Sequence, residues 1–151
     1  MSWNEYNDLY KIAQTTGKYH LFVFDIQNSK AGYDPLQLRR IREAMFSRLK
    51  ELEISLNKKI LHLPYEKGRG GYREGTLGDM FSIVIYRESL STEEVYKIFF
   101  EEKERLNIPY NFHFDDCFYE TDNWILGNQL YYREYGIAFL EDRAKKKKDI
   151  I

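Results

Sequence analysis

Residues 19 to 26 read YHLFVFDI. The run is apolar at almost every position, which suits a central β-strand covered on both faces better than an alternating edge strand. It closes on an aspartate, Asp25. A second run of the same kind, GTLGDMFSIVIY at residues 75 to 86, carries a Gly-Asp pair at its foot, with Arg73 and Arg87 the nearest basic residues on either side of Asp79. A carboxylate beside a buried strand costs free energy unless something cationic compensates it, and a bound metal ion is one candidate.

Working outward from these two strands, Asp34 and Pro35 supply an N-cap and a first helical residue. Apolar side chains then recur at Leu38, Ile41, Met45, Leu49, Leu52 and Leu56, which predicts a helix with that stripe inward. Arg39, Arg40, Arg42, Arg48 and Lys50 lie off the stripe and read as a solvated face. ILHLPY (Ile60 to Tyr65) reads as a short strand, and EKGRGGYREG after it as a surface loop. Ser91 and Glu94 have capping-box spacing and open a helix with Val95, Ile98, Phe99 and Leu106 inward, closed by Pro109. YNFHFDDCFYE reads as a strand near an edge, with an irregularity at Asp115-Asp116. A last helix is expected from about Asn128 to Lys147, with a basic tail over 145–151 that frays into solvent. A first helix, capped by Ser2 and Glu5, should end near Gly17. The expected class is therefore α+β: a ferredoxin-like βαββαβ antiparallel sheet with helices on one face, plus N- and C-terminal helices.

With 151 residues, 43% of them hydrophobic and 17% aromatic, the chain can bury one sizeable core, and a single domain over 1–151 is expected. The net charge of -1 gives no electrostatic reason to expect capture of duplex nucleic acid. One cysteine, Cys117, leaves no internal disulfide and fits a reducing compartment as a small buried side chain. No stretch approaches the roughly 20 apolar residues of a membrane span, so a cytoplasmic protein without a membrane partner is expected.

Asp25 and Asp79 lie fifty-four positions apart, yet in the expected topology they come to the same end of neighbouring central strands. Two carboxylates a few ångströms apart raise one another's proton affinity, and divalent cations relieve this. Mg²⁺ favours such a site, with waters and substrate phosphates completing its octahedron. Between Asp25 and the helix at Pro35 lies a polar turn containing Gln27, Asn28, Ser29 and Lys30, whose amides and ammonium could face an oxyanion near a helix N-terminus. The competing reading makes Asp25 and Asp79 turn caps, and Ser29 and Asp34 simple turn and cap residues.

FVFDIQNSK followed by LGDMFSIVI resembles the two metal-binding segments of the class III nucleotidyl cyclase catalytic domain, which has an Asp-Ile pair closing strand one and a Leu-Gly-Asp at the central hairpin. The tail GNQLYYREYGIAFLEDRAKK looks like that superfamily's closing helix, so the similarity spans about residues 19 to 147. The same palm-like core occurs in diguanylate cyclases and in CRISPR polymerase domains. The resemblance implies two Mg²⁺ (or Mn²⁺) ions on Asp25, the Ile26 carbonyl and Asp79. It further implies a triphosphate cradled by Gln27, Asn28, Ser29 and Lys30 beside Gly78, and a homodimer in which the two sides of each site come from different subunits. Cyclases carry an Asn and an Arg four residues apart in the last helix, whereas here Asn128 is followed four later by Tyr132, with Arg133 one position beyond. Arg133 is the candidate transition-state residue. Arg73, with Arg69, is a candidate to close over the phosphates. The Gly-Gly-Asp-Glu-Phe of diguanylate cyclases and the Gly-Gly-Asp-Asp of the CRISPR palm are both missing, because Leu77 precedes Gly78 and Met80 follows Asp79.

His20, His62 and His113 adjoin apolar residues and read as interior or strand positions rather than zinc ligands. Asp115 and Asp116 read as edge-strand charges. Three functions follow from these readings: synthesis of a cyclic nucleotide or small cyclic oligonucleotide from ATP or GTP with loss of pyrophosphate; nucleotide binding or cyclohydrolase-like GTP hydrolysis at the same site; or a non-enzymatic ferredoxin-like adaptor.

Overall fold

The computed structural model describes residues 3–62, 76–77, 79–119, 140 and 142–147. Helix α1 (Trp3–Thr16) leads into strand β1 (Tyr19–Ile26), then a single 3₁₀ turn (Ser29–Ala31) and helix α2 (Pro35–Leu56). Strands β2 (Thr76–Leu77) and β3 (Met80–Tyr86), helix α3 (Thr92–Arg105) and strand β4 (Phe112–Tyr119) follow. The sheet order is β2-β3-β1-β4 with every neighbouring pair antiparallel. The architecture is α+β, an open antiparallel sheet with helices, compatible with the ferredoxin-like arrangement. No helix among the described residues is long and apolar enough to cross a membrane.

The apolar run at 19–26 forms the strand it predicts, with the same bounds, and it is central: β3 and β4 flank it. Alternation sends Phe22, Phe24 and Ile26 to one face, where Phe81, Ile83 and Ile85 of β3 and Phe112 of β4 meet them in register. Helices α2 and α3 cover that face through Leu38, Ile41, Met45 and Leu49 and through Val95, Ile98 and Phe99. Aromatic stacking knits the layers: the Phe24 ring lies 5.0 Å from Phe81 and 4.2 Å from Phe99.

Local signals set the helix ends. The Asp34 side chain accepts from the Leu36 amide at 2.9 Å with Pro35 behind it, and Ser91 and Glu94 make the full reciprocal capping box. The α2 stripe is buried through Leu49, but Leu56 is 50% exposed, because the helix outruns the core there. Arg48 departs from the solvated face: its Nη1 lies 3.3 Å from Oε1 of buried Glu102 on α3, whose other oxygen takes Arg105 Nε at 2.6 Å.

One strand reading is corrected and another is met in part. Of Ile60–Tyr65, residues 60–62 pair with β3: Leu61 bridges to Ile85, the His62 amide donates to the Val84 carbonyl at 2.9 Å and the Tyr86 amide to the Ile60 carbonyl at 2.8 Å, while 63–65 lie outside the described residues. Fifteen positions separate Leu61 from Thr76 where four separate their partners Ile85 and Phe81, so this edge is not paired in one register. In β4 there is no irregularity at Asp115-Asp116: pairing with β1 runs unbroken from Phe112 to Tyr119. Consecutive aspartates therefore face opposite sides of the sheet.

Phe24→Ala should cost roughly 3–5 kcal/mol as a core cavity, and Ser91→Ala about 1 kcal/mol as a lost cap. Urea denaturation checks both, and equal costs would contradict the layering described.

Candidate functional site

Asp25 lies next to the last residue of β1 on the face away from α2 and α3, in register with Met80 of β3 and His113 of β4. It is 1% exposed, and both of its carboxylate oxygens are sealed from solvent. The Ile26 amide donates to the Asp79 carbonyl at 2.9 Å, which sets Asp79 directly across from the residue after Asp25. The two acids, far apart in sequence, therefore come to the same end of the central strand pair. Asp79 sits half-buried in the turn that enters β3.

A cation already attends Asp25. Lys145 Nζ lies 3.8 Å from its Oδ2, from a side chain that is 48% exposed. Residues 142–146 are helical, with Leu140 and Ala144 fully buried, so the basic stretch expected to fray at 145 instead packs on the sheet. Its neighbours grip a second acid on the same face. Asp115, 0% exposed, receives Arg143 through Nε and through Nη2 at 2.9 Å, and Lys147 Nζ at 2.6 Å. Arg143 also reaches the Tyr10 hydroxyl of α1 and, at 3.0 Å, the Asp116 carbonyl. Asp115 is thus a buried, doubly paired acid and not an edge-strand charge. Residues 143–147 thus bring cations to both of these buried acids.

The polar turn after β1 holds an oxyanion less completely than its sequence suggests. The Gln27 amide donates to the Asn111 carbonyl at 2.8 Å, so it is not free to face a phosphate. Asn28 adopts left-handed backbone angles (φ 58°) and its carbonyl accepts from Ala31 at 2.9 Å, while Ser29 accepts from Gly32 at 3.0 Å. Among the described residues the amides of Asn28, Ser29 and Lys30 donate to no partner, and Lys30 is exposed. The N-terminus of α2 is not a phosphate seat, because Pro35 has no N–H, Asp34 caps Leu36, and the Asp34 amide donates to the Tyr110 hydroxyl at 2.7 Å.

On the α2/α3 face the other aspartate of the pair makes a buried polar network. His20 Nε2 lies 2.7 Å from Asp116 Oδ2, and the Tyr96 hydroxyl donates to Oδ1 at 2.8 Å. Burial alone would raise the Asp116 carboxyl, but the His20 and Tyr96 hydrogen bonds outweigh it and hold the group below the ordinary carboxylate range. An ionised carboxylate only accepts, so Nε2 carries the proton. Burial, then Asp116, pushes the Tyr96 hydroxyl far above its ordinary value, so it stays a donor. His20 is the interior residue its neighbours implied, and burial raises the Cys117 thiol and keeps it unreactive. The sequence did hold a signal for both networks: an Asp-Asp pair inside an otherwise apolar strand must find donors on both sides of the sheet.

Arg69, Arg73, Gly78, Asn128 and Arg133 lie outside the described residues. Among the described residues no group of three His, Cys, Asp or Glu side chains is placed to hold a metal ion. Compared with known proteins, the chain matches no family model, no curated protein and no solved structure.

Because Asp116 titrates lower folded than unfolded, its contribution is fully present above the unfolded carboxyl value of about 3.9 and is lost as pH falls through the folded one. Asp116→Asn should cost roughly 1.5–3 kcal/mol at pH 7. In denaturant titrations at successive pH values, the gap to the parent protein should close below about pH 4; a gap that stays constant would contradict this role.

Proposed function

We propose that the chain is a palm-type, Mg²⁺-dependent nucleotidyl cyclase or small cyclic-oligonucleotide synthase, built on a ferredoxin-like βαββαβ core and acting on ATP or GTP as a homodimer. The single observation that carries the reading is the register contact between Ile26 and Asp79, which brings a buried acid and a half-buried acid to one end of the central strands. In this reading the donors are oxygens of the kind a hard cation takes: the carboxylates of Asp25 and of Asp79, which lies across from Ile26, and the carbonyl of Ile26. Mg²⁺ held by them would supply Lewis-acid activation of a ribose 3′-hydroxyl and neutralise the triphosphate.

The chain's own residues then have distinct tasks. The amides of Asn28 to Lys30 and the Lys30 ammonium bind the β- and γ-phosphates and orient the α-phosphorus for in-line attack. The 3′-hydroxyl gives its proton to water, and its oxygen bonds to that phosphorus as the bond to the leaving pyrophosphate breaks. Arg133, outside the described residues, is assigned to the transition-state charge, with Arg73 and Asn128 as nucleotide contacts.

One observation favours a second reading. Lys145 already answers the charge of Asp25, and a buried ion pair can be purely structural, as in a ferredoxin-like adaptor without chemistry. The same assay separates the two. With Mg²⁺ or Mn²⁺ and each nucleoside triphosphate, pyrophosphate and a cyclic product should appear by mass analysis. Asp79→Asn should lower the rate about 10²–10³-fold or more, the scale of losing one electrostatic stabiliser. Product formation that survives Asp79→Asn would refute the metal role, and release of formate or a ring-opened nucleotide in place of pyrophosphate would assign a hydrolase.

A further inference from the structure

A cavity of about 420 Å³ opens at the other end of the sheet, where α1 leads into β1 and β3 ends, and the proposed chemistry leaves it unused. Among the described residues Gly17, Lys18, Tyr19, Tyr86, Arg87 and Glu88 line it. Tyr19 begins β1 and stands six residues before Asp25, so a rise of about 3.3 Å per residue separates the two ends by roughly 20 Å. The volume falls toward the lower end of the range of about 300–1,000 Å³ that small-molecule sites occupy.

Two aromatic rings form its wall. Tyr19 and Tyr86 are cross-strand partners on the face away from α2 and α3, with ring centroids 5.7 Å apart. His62 packs on both, stacked on Tyr19 at 4.3 Å and edge-on to Tyr86 at 5.5 Å, and holds the rings as a unit. Arg87 fixes the rest of the lining. Its amide donates to the Lys18 carbonyl at 2.9 Å, while Nη1 donates to the Gly17 carbonyl and Nη2 to the Gln14 carbonyl, both at 3.1 Å. The guanidinium also lies 3.7 Å from the centre of the Phe118 ring. These carbonyls stand at the negative end of α1, whose last turn has no basic residue, so Arg87 supplies the countercharge of the helix and is not available to a ligand.

Half-exposed rings held in place beside a cavity offer a planar ligand a stacking surface that is already ordered. The polar groups stand around it. Glu88 and Lys18 are exposed, and exposed Lys59 holds its Nζ 5.8 Å from the centre of the Tyr86 ring. A carboxylate accepts hydrogen bonds and repels an anion, whereas a lysine ammonium attracts one. A planar ring with N–H donors on one side and negative charge on the other matches the rings, Glu88 and the lysines together. We propose that this cavity binds a nucleoside monophosphate, with the base stacked on the Tyr19–Tyr86 wall, its N–H groups toward Glu88 and its phosphate at Lys59 and Lys18, far from Asp25 and with no need of a metal ion. The site stands whether or not the chain makes a cyclic nucleotide.

Backbone amide chemical shifts of the unaltered chain, recorded in EDTA so that no divalent ion takes part, test this. In titrations with AMP, GMP, CMP and UMP, at least one should shift residues 17–19, 62 and 86–88 to saturation with a millimolar or lower Kd, and residues 25–30 should stay in place. No saturable shift with any of the four would overturn the site, and so would an equal response to ribose 5-phosphate, which carries the phosphate without a base. Shifts confined to residues 25–30 would overturn the cavity and leave the role of Asp25 standing. A single-stranded tetranucleotide that binds there more tightly than every monophosphate would overturn the assignment to a free nucleotide. Tyr86→Leu should weaken binding about five- to a hundredfold, the range of a lost base stack, and Lys59→Met about two- to fivefold, the range of an exposed charge contact. Unchanged affinity in a folded Tyr86→Leu protein would contradict the stacking wall, and the titrations of the unaltered chain decide the matter if that variant does not fold.

Discussion

Two buried carboxylates on one face of a four-stranded sheet constrain everything around them. Asp25 and Asp115 sit on neighbouring strands, both essentially without exposure, on the side that α2 and α3 do not cover. An ionised carboxylate withdrawn from water needs an opposite charge or a dense set of donors. Leaving one member of such a pair uncompensated costs about 3–5 kcal/mol, a large share of the 5–15 kcal/mol that holds a typical domain folded. The basic residues at 143, 145 and 147 answer that demand, and in doing so they fix where this segment lies on the sheet and tie it to α1 through Tyr10.

The sheet therefore has two faces of different chemistry. One is a hydrophobic and aromatic layer closed by α2 and α3, interrupted where Asp116 gathers His20 and Tyr96. The other mixes Leu21, Val23 and Cys117 with Ser82, Asp25 and Asp115. The first face is packed by α2 and α3, which cannot part without losing the core.

Much of this was legible in the sequence where the signal is local. Continuous apolar character placed β1 with its observed bounds, Asp34-Pro35 placed the start of α2, and Ser91 with Glu94 placed the start of α3. That Asp79 comes to the end of β1 where Asp25 lies was legible too, from the order of the elements. What escaped is non-local. The register of the β2 edge depends on how much chain is spent between Leu61 and Thr76, which no residue there announces. The continuity of β4 through two aspartates depends on partners from α3 on one side and from residues 143–147 on the other. Read alone, the lysine run is a solvated tail; read against two buried acids, Lys145 and Lys147 supply countercharge to them while Lys146 pairs with Asp142. The Gln27 amide looked available to a phosphate only because Asn111, eighty-four positions away, was not yet in view.

The arrangement stands or falls on whether Asp25 and Asp79 share a divalent ion. Paramagnetic broadening of backbone amide resonances during a sub-stoichiometric Mn²⁺ titration answers this without any assumption about substrate or product. A shared site requires the earliest broadening at residues 25–30 and at 79–80 together. Broadening confined to exposed acids elsewhere, such as Glu101 or Glu104 on α3, with 25–30 and 79–80 untouched, would contradict it.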